Sequence, residues 1–171
     1  MNLLRKMRGD GAELPPRSPW AAILATALVA TLIVAAFALL TQRLDIILLL
    51  GTFAASSLIV FAYPDSPFAQ PRNVIVGHLI GVLAGLVLIK CCGTIWWSQA
   101  LAVGVTIGTM KITRTVHPPA CSNPLIIFSL KSSPGWSFLL FPTLTGAIVI
   151  VLIALVYHNL RREARWPKYW Y

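Results

Sequence analysis

Lys111-Ile-Thr-Arg-Thr-Val-His-Pro-Pro-Ala-Cys-Ser-Asn-Pro124 interrupts a chain that is otherwise almost continuously apolar. It follows the uncharged run Ile95 to Met110 and leads into the short patch Leu125 to Leu130. Two cations, a histidine and three prolines at the end of a membrane segment are costly there, and costly polar groups at membrane depth point to function. Pro118 and Pro119 withhold two backbone donors and restrict the residues before them. The helix is therefore expected to end near His117, with its last carbonyls unpaired. Transporters use broken backbone of this kind to hold small solutes inside the membrane.

The surroundings of this break fix the class. Hydrophobic residues make up 57% of the chain and charged residues 11%, with a mean hydropathy of +0.78. A soluble domain carries about 25% charged residues. The lipid bilayer is thus the first partner. The 171 residues correspond to one domain, short for a large transporter fold, so a homo-oligomer is expected. A net charge of +9 raises the question of nucleic acid. The cations exclude that partner by where they fall: Arg5, Lys6, Arg8 and Arg17 precede the first apolar run, and Arg161, Arg162, Arg165 and Lys168 follow the last. Membrane proteins place charge there, against anionic headgroups. Trp166, Tyr169, Trp170 and Tyr171 read as an interfacial anchor. Cys91, Cys92 and Cys121 give neither a disulfide framework nor a zinc spacing, and no cofactor or metal is expected. The N-terminus does not read as a cleaved signal peptide. A multi-pass protein of a bacterial inner membrane is the expected setting.

The expected fold is all-α: a polytopic transmembrane helix bundle of about five spans, with a proline-broken segment near His117. Residues 1–19 form an irregular polar tail, 20–157 the transmembrane domain, and 158–171 a basic, aromatic tail. Trp20 to Leu40 holds 21 uncharged residues, enough for the ~30 Å hydrocarbon core. Ile46 to Tyr63 is the second span, rich in small residues that permit close helix contact. The loop Pro64 to Asn73 follows. Val74 to Ile89 is a short third span whose Gly77, Gly81 and Gly85 share one face and argue for tight packing. Ile95 to Met110 is the fourth, with Gly104 and Gly108 at the same spacing. Leu125 to Leu130 is too short to cross and reads as a half-helix or re-entrant piece. Trp136 to Tyr157 is the last span, with a kink expected at Pro142.

A weak internal repeat, span, proline-rich loop, span, occurs over 46–89 and 95–157. Orientation is in conflict. Five spans put the N-terminal cations and those after the last span on opposite sides. A further crossing near residues 118–133 would bring both termini to one side and satisfy the positive-inside rule better.

Gly51-Thr-Phe-Ala-Ala-Ser56, Ser66-Pro-Phe-Ala-Gln-Pro-Arg-Asn73 with Gly77-His78, and Thr115-Val-His-Pro-Pro-Ala120 together resemble the HPP family of integral membrane proteins, over roughly residues 18–157. The resemblance implies a small protein of four or five spans. It also implies a candidate substrate, because chloroplast and cyanobacterial members are associated with nitrite transport. After Ala120 the chain departs from the family's common continuation and has Cys121-Ser122-Asn123, residues that border the candidate site.

The candidate binding residues for a small, nitrite-like anion are His117, Arg114, Arg72, Asn73, His78 and Asn123. Each also has a structural reading. Arg114 lies one turn from His117; Lys111 beside it reads as a snorkelling anchor. Arg72 offers a planar guanidinium suited to an oxyanion or serves as a loop charge. Asn73 reads equally as a helix N-cap. His78 could bond a neighbouring helix, and His117 could cap the carbonyls of its own broken helix. Histidine titrates near neutral pH, with an unperturbed pKa of ~6.5, so His117 is the expected titrating member. An enzyme is not expected: the five acidic residues are scattered and no catalytic set is visible. A transporter or channel for a small anion, or a non-transporting scaffold, remains.

Overall fold

The computed structural model describes residues 7, 11–44, 50–130, 132–162 and 164–171. Among the described residues six α-helices carry the fold: α1 Trp20–Leu44, α2 Gly51–Ala62, α3 Pro71–Cys92, α4 Trp96–Ile112, α5 Asn123–Ser129 and α6 Thr145–Arg161. Shorter turns at Pro67–Ala69, Pro118–Ser122, Trp136–Leu139 and Leu140–Leu144 join them. No strand occurs among the described residues.

The membrane class follows from where the large apolar side chains point. Leu24, Leu28 and Leu32 of α1, Leu101 and Val105 of α4, and Leu152 and Val156 of α6 are all exposed. Outward stripes of this size are unfavourable against water and neutral against lipid tails. The opposite face of α1 holds Ile33 and Phe37, each 2% exposed, and Phe37 packs on Phe53 of α2 with ring centroids 5.4 Å apart.

Among the described residues three helical stretches are long and apolar enough to cross a bilayer: Trp20–Arg43, Pro71–Cys92 and Trp136–Arg161. The sequence reading of about five spans is corrected here. Helix α2 has 12 residues, about 18 Å at helical rise, and begins only after an extended Leu50; residues 45–49 lie outside the described residues. Helix α4 has 17 residues, about 25 Å. The last long stretch is broken, as the sequence implied, at Pro142: Phe141 has extended backbone (φ −135°, ψ 120°) between helical turns.

The start of α1 and the end of α6 lie at the same end of the bundle. The first turn of α1 and the last turn of α6 line one groove with the end of α2. His158 of α6 bonds the carbonyl of Val60 near the end of α2 (2.9 Å). Arg72, opening α3, donates to the carbonyl of Thr113 just past α4 (3.0 Å). At the far end, Lys90 of α3 lies over the Trp136 ring. Between α4 and Trp136 the chain must therefore travel the length of the bundle, and residues 115–127 do so along the glycine face of α3. A Cβ on Gly77 would lie 2.8 Å from His117 Cβ, one on Gly81 would strike the carbonyl oxygen of Ala120, and one on Gly85 would lie 3.0 Å from Pro124 Cα. The glycine face thus seats the His-Pro-Pro segment rather than another long helix. The passage considered near residues 118–133 is present as an irregular one.

This arrangement resolves the charge conflict. Among the described residues, Arg17, Arg72, Lys111, Arg114, Arg161, Arg162, Arg165 and Lys168 belong to the end with the start of α1 and the end of α6, and Arg43 and Lys90 to the other. The positive-inside rule assigns the basic end to the cytoplasm.

The C-terminal segment turns back at this end. Trp166 is 2% exposed, held by Asn159, whose amide donates to the Trp166 carbonyl (2.7 Å) and accepts from its N–H (3.1 Å). The Lys168 N–H donates to Gln70 Oε1 (2.8 Å). Asp65 pairs with Arg162 (2.7 Å) and Lys168 (3.4 Å), and the Arg162 guanidinium holds the Asp65 carboxyl below the usual aspartate range. Trp170 and Tyr171 stay exposed.

Candidate functional site

The end of α4 decides the site. The sequence placed it near His117; it falls at Ile112. Arg114 has φ 57°, a left-handed conformation that favours glycine. Its N–H donates to Lys111 O (3.3 Å), and the Thr115 N–H reaches back to Met110 O (2.9 Å). This is the paired closure of a Schellman motif, with arginine where glycine is usual. The Thr113 hydroxyl donates to Thr109 O (2.8 Å), Arg72 takes Thr113 O, and Asn73 Nδ2 donates to Val116 O (2.9 Å). The carbonyls of Thr109, Met110, Lys111, Thr113 and Val116 at the break are therefore occupied by this chain's own donors, which corrects the expectation that they would be left unpaired.

Beyond Val116 the chain turns inward. His117 is extended (φ −134°, ψ 97°), as a residue before proline must be, and its side chain is fully buried. There it meets Ser56 of α2, His78 of α3 and Asn123 at the start of α5, each at most 1% exposed. Ser56 Oγ lies 2.8 Å from His78 Nε2 and 2.8 Å from His117 Nε2. His117 Nδ1 lies 2.8 Å from the carbonyl of Phe68. Asn123 Nδ2 lies 3.0 Å from both His78 Nδ1 and the His78 carbonyl. Phe53 covers the His78 ring at 5.0 Å.

The carbonyls fix the protons, because a carbonyl can only accept. Phe68 O requires a proton on His117 Nδ1, so in neutral His117 Nε2 is an acceptor. The His78 carbonyl fixes the amide group of Asn123, so His78 Nδ1 accepts and Nε2 carries the proton. One direction results: His78 Nε2–H donates to Ser56 Oγ, and Ser56 O–H donates to His117 Nε2. Ser56 has a second acceptor within reach, Thr52 O at 2.9 Å. If His117 gains a proton on Nε2, the serine hydroxyl can turn to Thr52 O and accept from both rings. The cluster can thus take up one proton at His117 without stranding a donor. His78 is kept from a second by the Asn123 amide. Thr52 Oγ1 and Asn123 Oδ1 are buried without a hydrogen-bond partner.

The structure brings together three of the six expected residues, His117, His78 and Asn123. Asn73 sits between this centre and the basic end: its Oδ1 accepts from the Tyr169 hydroxyl (3.2 Å), and it is not the N-cap, a place held by Gln70. Arg72 is half-buried on Thr113, and Arg114 is exposed. Neither arginine has a recorded contact with His117, and the left-handed turn removes Arg114 from the helical side it was expected to share with His117. Sequence reasoning missed Ser56, taken there as a small packing residue. Its signal was a hydroxyl pair, Ser56-Ser57, in an apolar helix.

Arg114→Gly should raise stability by about 1 kcal/mol, because it removes a left-handed side chain. Thermal unfolding in detergent checks this; a destabilised variant would mean that the arginine side chain itself holds the turn.

Comparison with known proteins agrees with this architecture. The profile of the HPP transmembrane region matches residues 15–167. A transmembrane protein of Dictyostelium discoideum is 38% identical over 129 residues, covering 72% of this chain and 45% of the relative. A second from the same organism is 33% identical over 137 residues, covering 77% and 44%. The chain thus spans less than half the length of these curated relatives in the aligned region. Both are from a eukaryote, so they lend no support to the bacterial inner membrane expected from the sequence. No solved structure matches. The chain belongs to the HPP transmembrane family and is an integral membrane protein.

Proposed function

We propose that this HPP-family protein is a transporter or channel for a small anion such as nitrite, and that the anion passes the His117–Ser56–His78–Asn123 centre. The supporting observation is that four buried polar side chains from four separate segments meet at a break in the helical backbone, inside a protein whose outer faces are apolar. Polar groups are expensive at that depth and are kept where a pathway needs them. The basic end raises the local concentration of anions at the mouth. A permanent cation at depth would trap the anion. A histidine that takes up one proton supplies positive charge and an N–H donor for the passage, then releases both. Asn73, linking Tyr169 to the Val116 carbonyl, ties the mouth to the His117 turn. A homo-oligomer belongs to the same proposal: a Cβ on Gly104 or Gly108 of α4 would meet nothing within 4 Å, which leaves that face open to a second helix.

A non-transporting scaffold or subunit is the competing reading. It is favoured by the fact that all four ring nitrogens of His78 and His117 already have protein partners. Nitrite uptake into proteoliposomes, above that of protein-free vesicles, is expected from the transporter. Uptake equal to the protein-free background favours the scaffold.

A further inference from the structure

A groove of about 560 Å³ runs between α1, α2 and α6, on the opposite face of α2 from Ser56. Its walls are apolar and small-sided along Ala22, Ala27, Ala30 and Ala54, with Leu58 and Phe61 beside them. Its closing end, at the basic end of the bundle, is formed by Ser18, His158, Arg161 and Arg162. Arg17 sits just outside, over the Trp20 ring.

Three features identify what belongs there. The first is length. From the start of α1 at Trp20 to Ala30 the groove follows the helix for about 15 Å at helical rise, half of the ~30 Å hydrocarbon core. One acyl chain of one leaflet has that reach. The second is charge. Arg161, Arg162, Arg17 and Lys168 gather at this end, where Asp65 pairs with Arg162 and Lys168. Arg162 gives one nitrogen, Nη2, to Asp65, while its Nη1 is shielded and has no partner. A buried guanidinium N–H without an acceptor is costly, and an anionic oxygen relieves that cost. The third is position. The charged end is the one the positive-inside rule assigns to the cytoplasm, and the cytoplasmic leaflet carries the anionic lipids.

We propose that this groove is a binding site for one anionic phospholipid, its phosphate held at Arg161 and Arg162 and one acyl chain lying between α1 and α6. The site is separate from the His117 centre. A lipid there joins α1, whose packing is otherwise confined to one stripe, to the ends of α2 and α6.

The test uses the whole chain, purified in detergent, titrated with phosphatidylglycerol or with phosphatidylcholine of the same acyl chains. Native mass spectrometry and thermal unfolding are read in parallel. The expected result is one retained lipid per chain and a preference for the anionic lipid of about tenfold or more, given the known contribution of each basic residue near a charged headgroup. Arg161→Gln, which leaves the Asp65–Arg162 pair in place, should reduce that preference severalfold. Ala27→Trp should abolish retention by filling the acyl path while the charged end is unchanged. Equal affinity for the two lipids overturns the proposal. So does the same thermal shift with inorganic phosphate alone, or cross-linking of Ala27→Cys to a second copy in place of lipid protection.

Discussion

Gly81→Ala should destabilise the protein by about 2–3 kcal/mol or more, the upper range for overpacking in a tight interior. The added methyl group would strike the backbone carbonyl of Ala120 and sit 3.0 Å from Asn123 Cβ. Neither can yield easily. Ala120 is in the turn that follows the His-Pro-Pro break, and Asn123 is pinned to His78 by two hydrogen bonds. Gly81→Leu should prevent assembly of the fold. Gly51→Ala is the control, because nothing lies within 4 Å of its would-be Cβ and alanine is the better helix former. Thermal unfolding of the purified proteins distinguishes the two. Equal melting of the Gly81→Ala and Gly51→Ala variants would mean that residues 115–127 do not lie against α3 as described.

The second large effect belongs to Ser56. Ser56→Ala removes the one group that joins both rings. It leaves His78 Nε2–H without an acceptor and His117 Nε2 without a donor, at side chains that are fully buried. Each unpaired buried group costs about 1–3 kcal/mol, so a loss of about 2–5 kcal/mol is expected. Flux should fall with stability, because the orientation of both histidines depends on this hydroxyl. Ser57→Ala is the local control. Ser57 bonds only the carbonyl of Phe53 in its own helix (2.9 Å), so its loss should be mild. A Ser56→Ala protein as stable as Ser57→Ala would show that the ring nitrogens are satisfied in some other way.

Much of this architecture was legible in the residues. Apolar runs gave the membrane class because nothing else buries such stretches. The spacing of Gly77, Gly81 and Gly85 gave the packed face, and Pro142 gave the break in the last helix. Three features were not legible. The end of α4 is set by Arg114 in a left-handed turn, a place where local propensity favours glycine and tertiary contacts, with Arg72 on Thr113, override it. The passage of residues 115–127 through the bundle has little helical periodicity, because much of it is three-ten turn and extended chain, so its six-residue apolar patch looked too short to cross. Ser56 was hidden because a serine in an apolar helix is the same symbol whether it permits close packing or bonds two histidines. For the site, sequence marked His117, His78 and Asn123, which converge. Arg72, marked for a planar guanidinium suited to an oxyanion, and Arg114, marked for its place one turn from His117, lie instead at the end of α4.

The central claim is that His117 is the proton-accepting member of a buried transport centre. It is tested most directly by the pH dependence of nitrite influx in proteoliposomes, with protein-free vesicles subtracted because the conjugate acid permeates lipid. Wild-type influx should rise as external pH falls and more of the His117 rings carry a proton. A protonated His117 offers the anion both charge and an N–H. In His117→Gln the pH dependence should disappear while the protein stays folded, at a melting temperature lowered by the loss of the contacts to Phe68 and Ser56. A His117→Gln protein with the wild-type pH profile, or a wild type whose flux does not respond to pH, would contradict the account and leave His117 as a structural pin between Phe68 and Ser56.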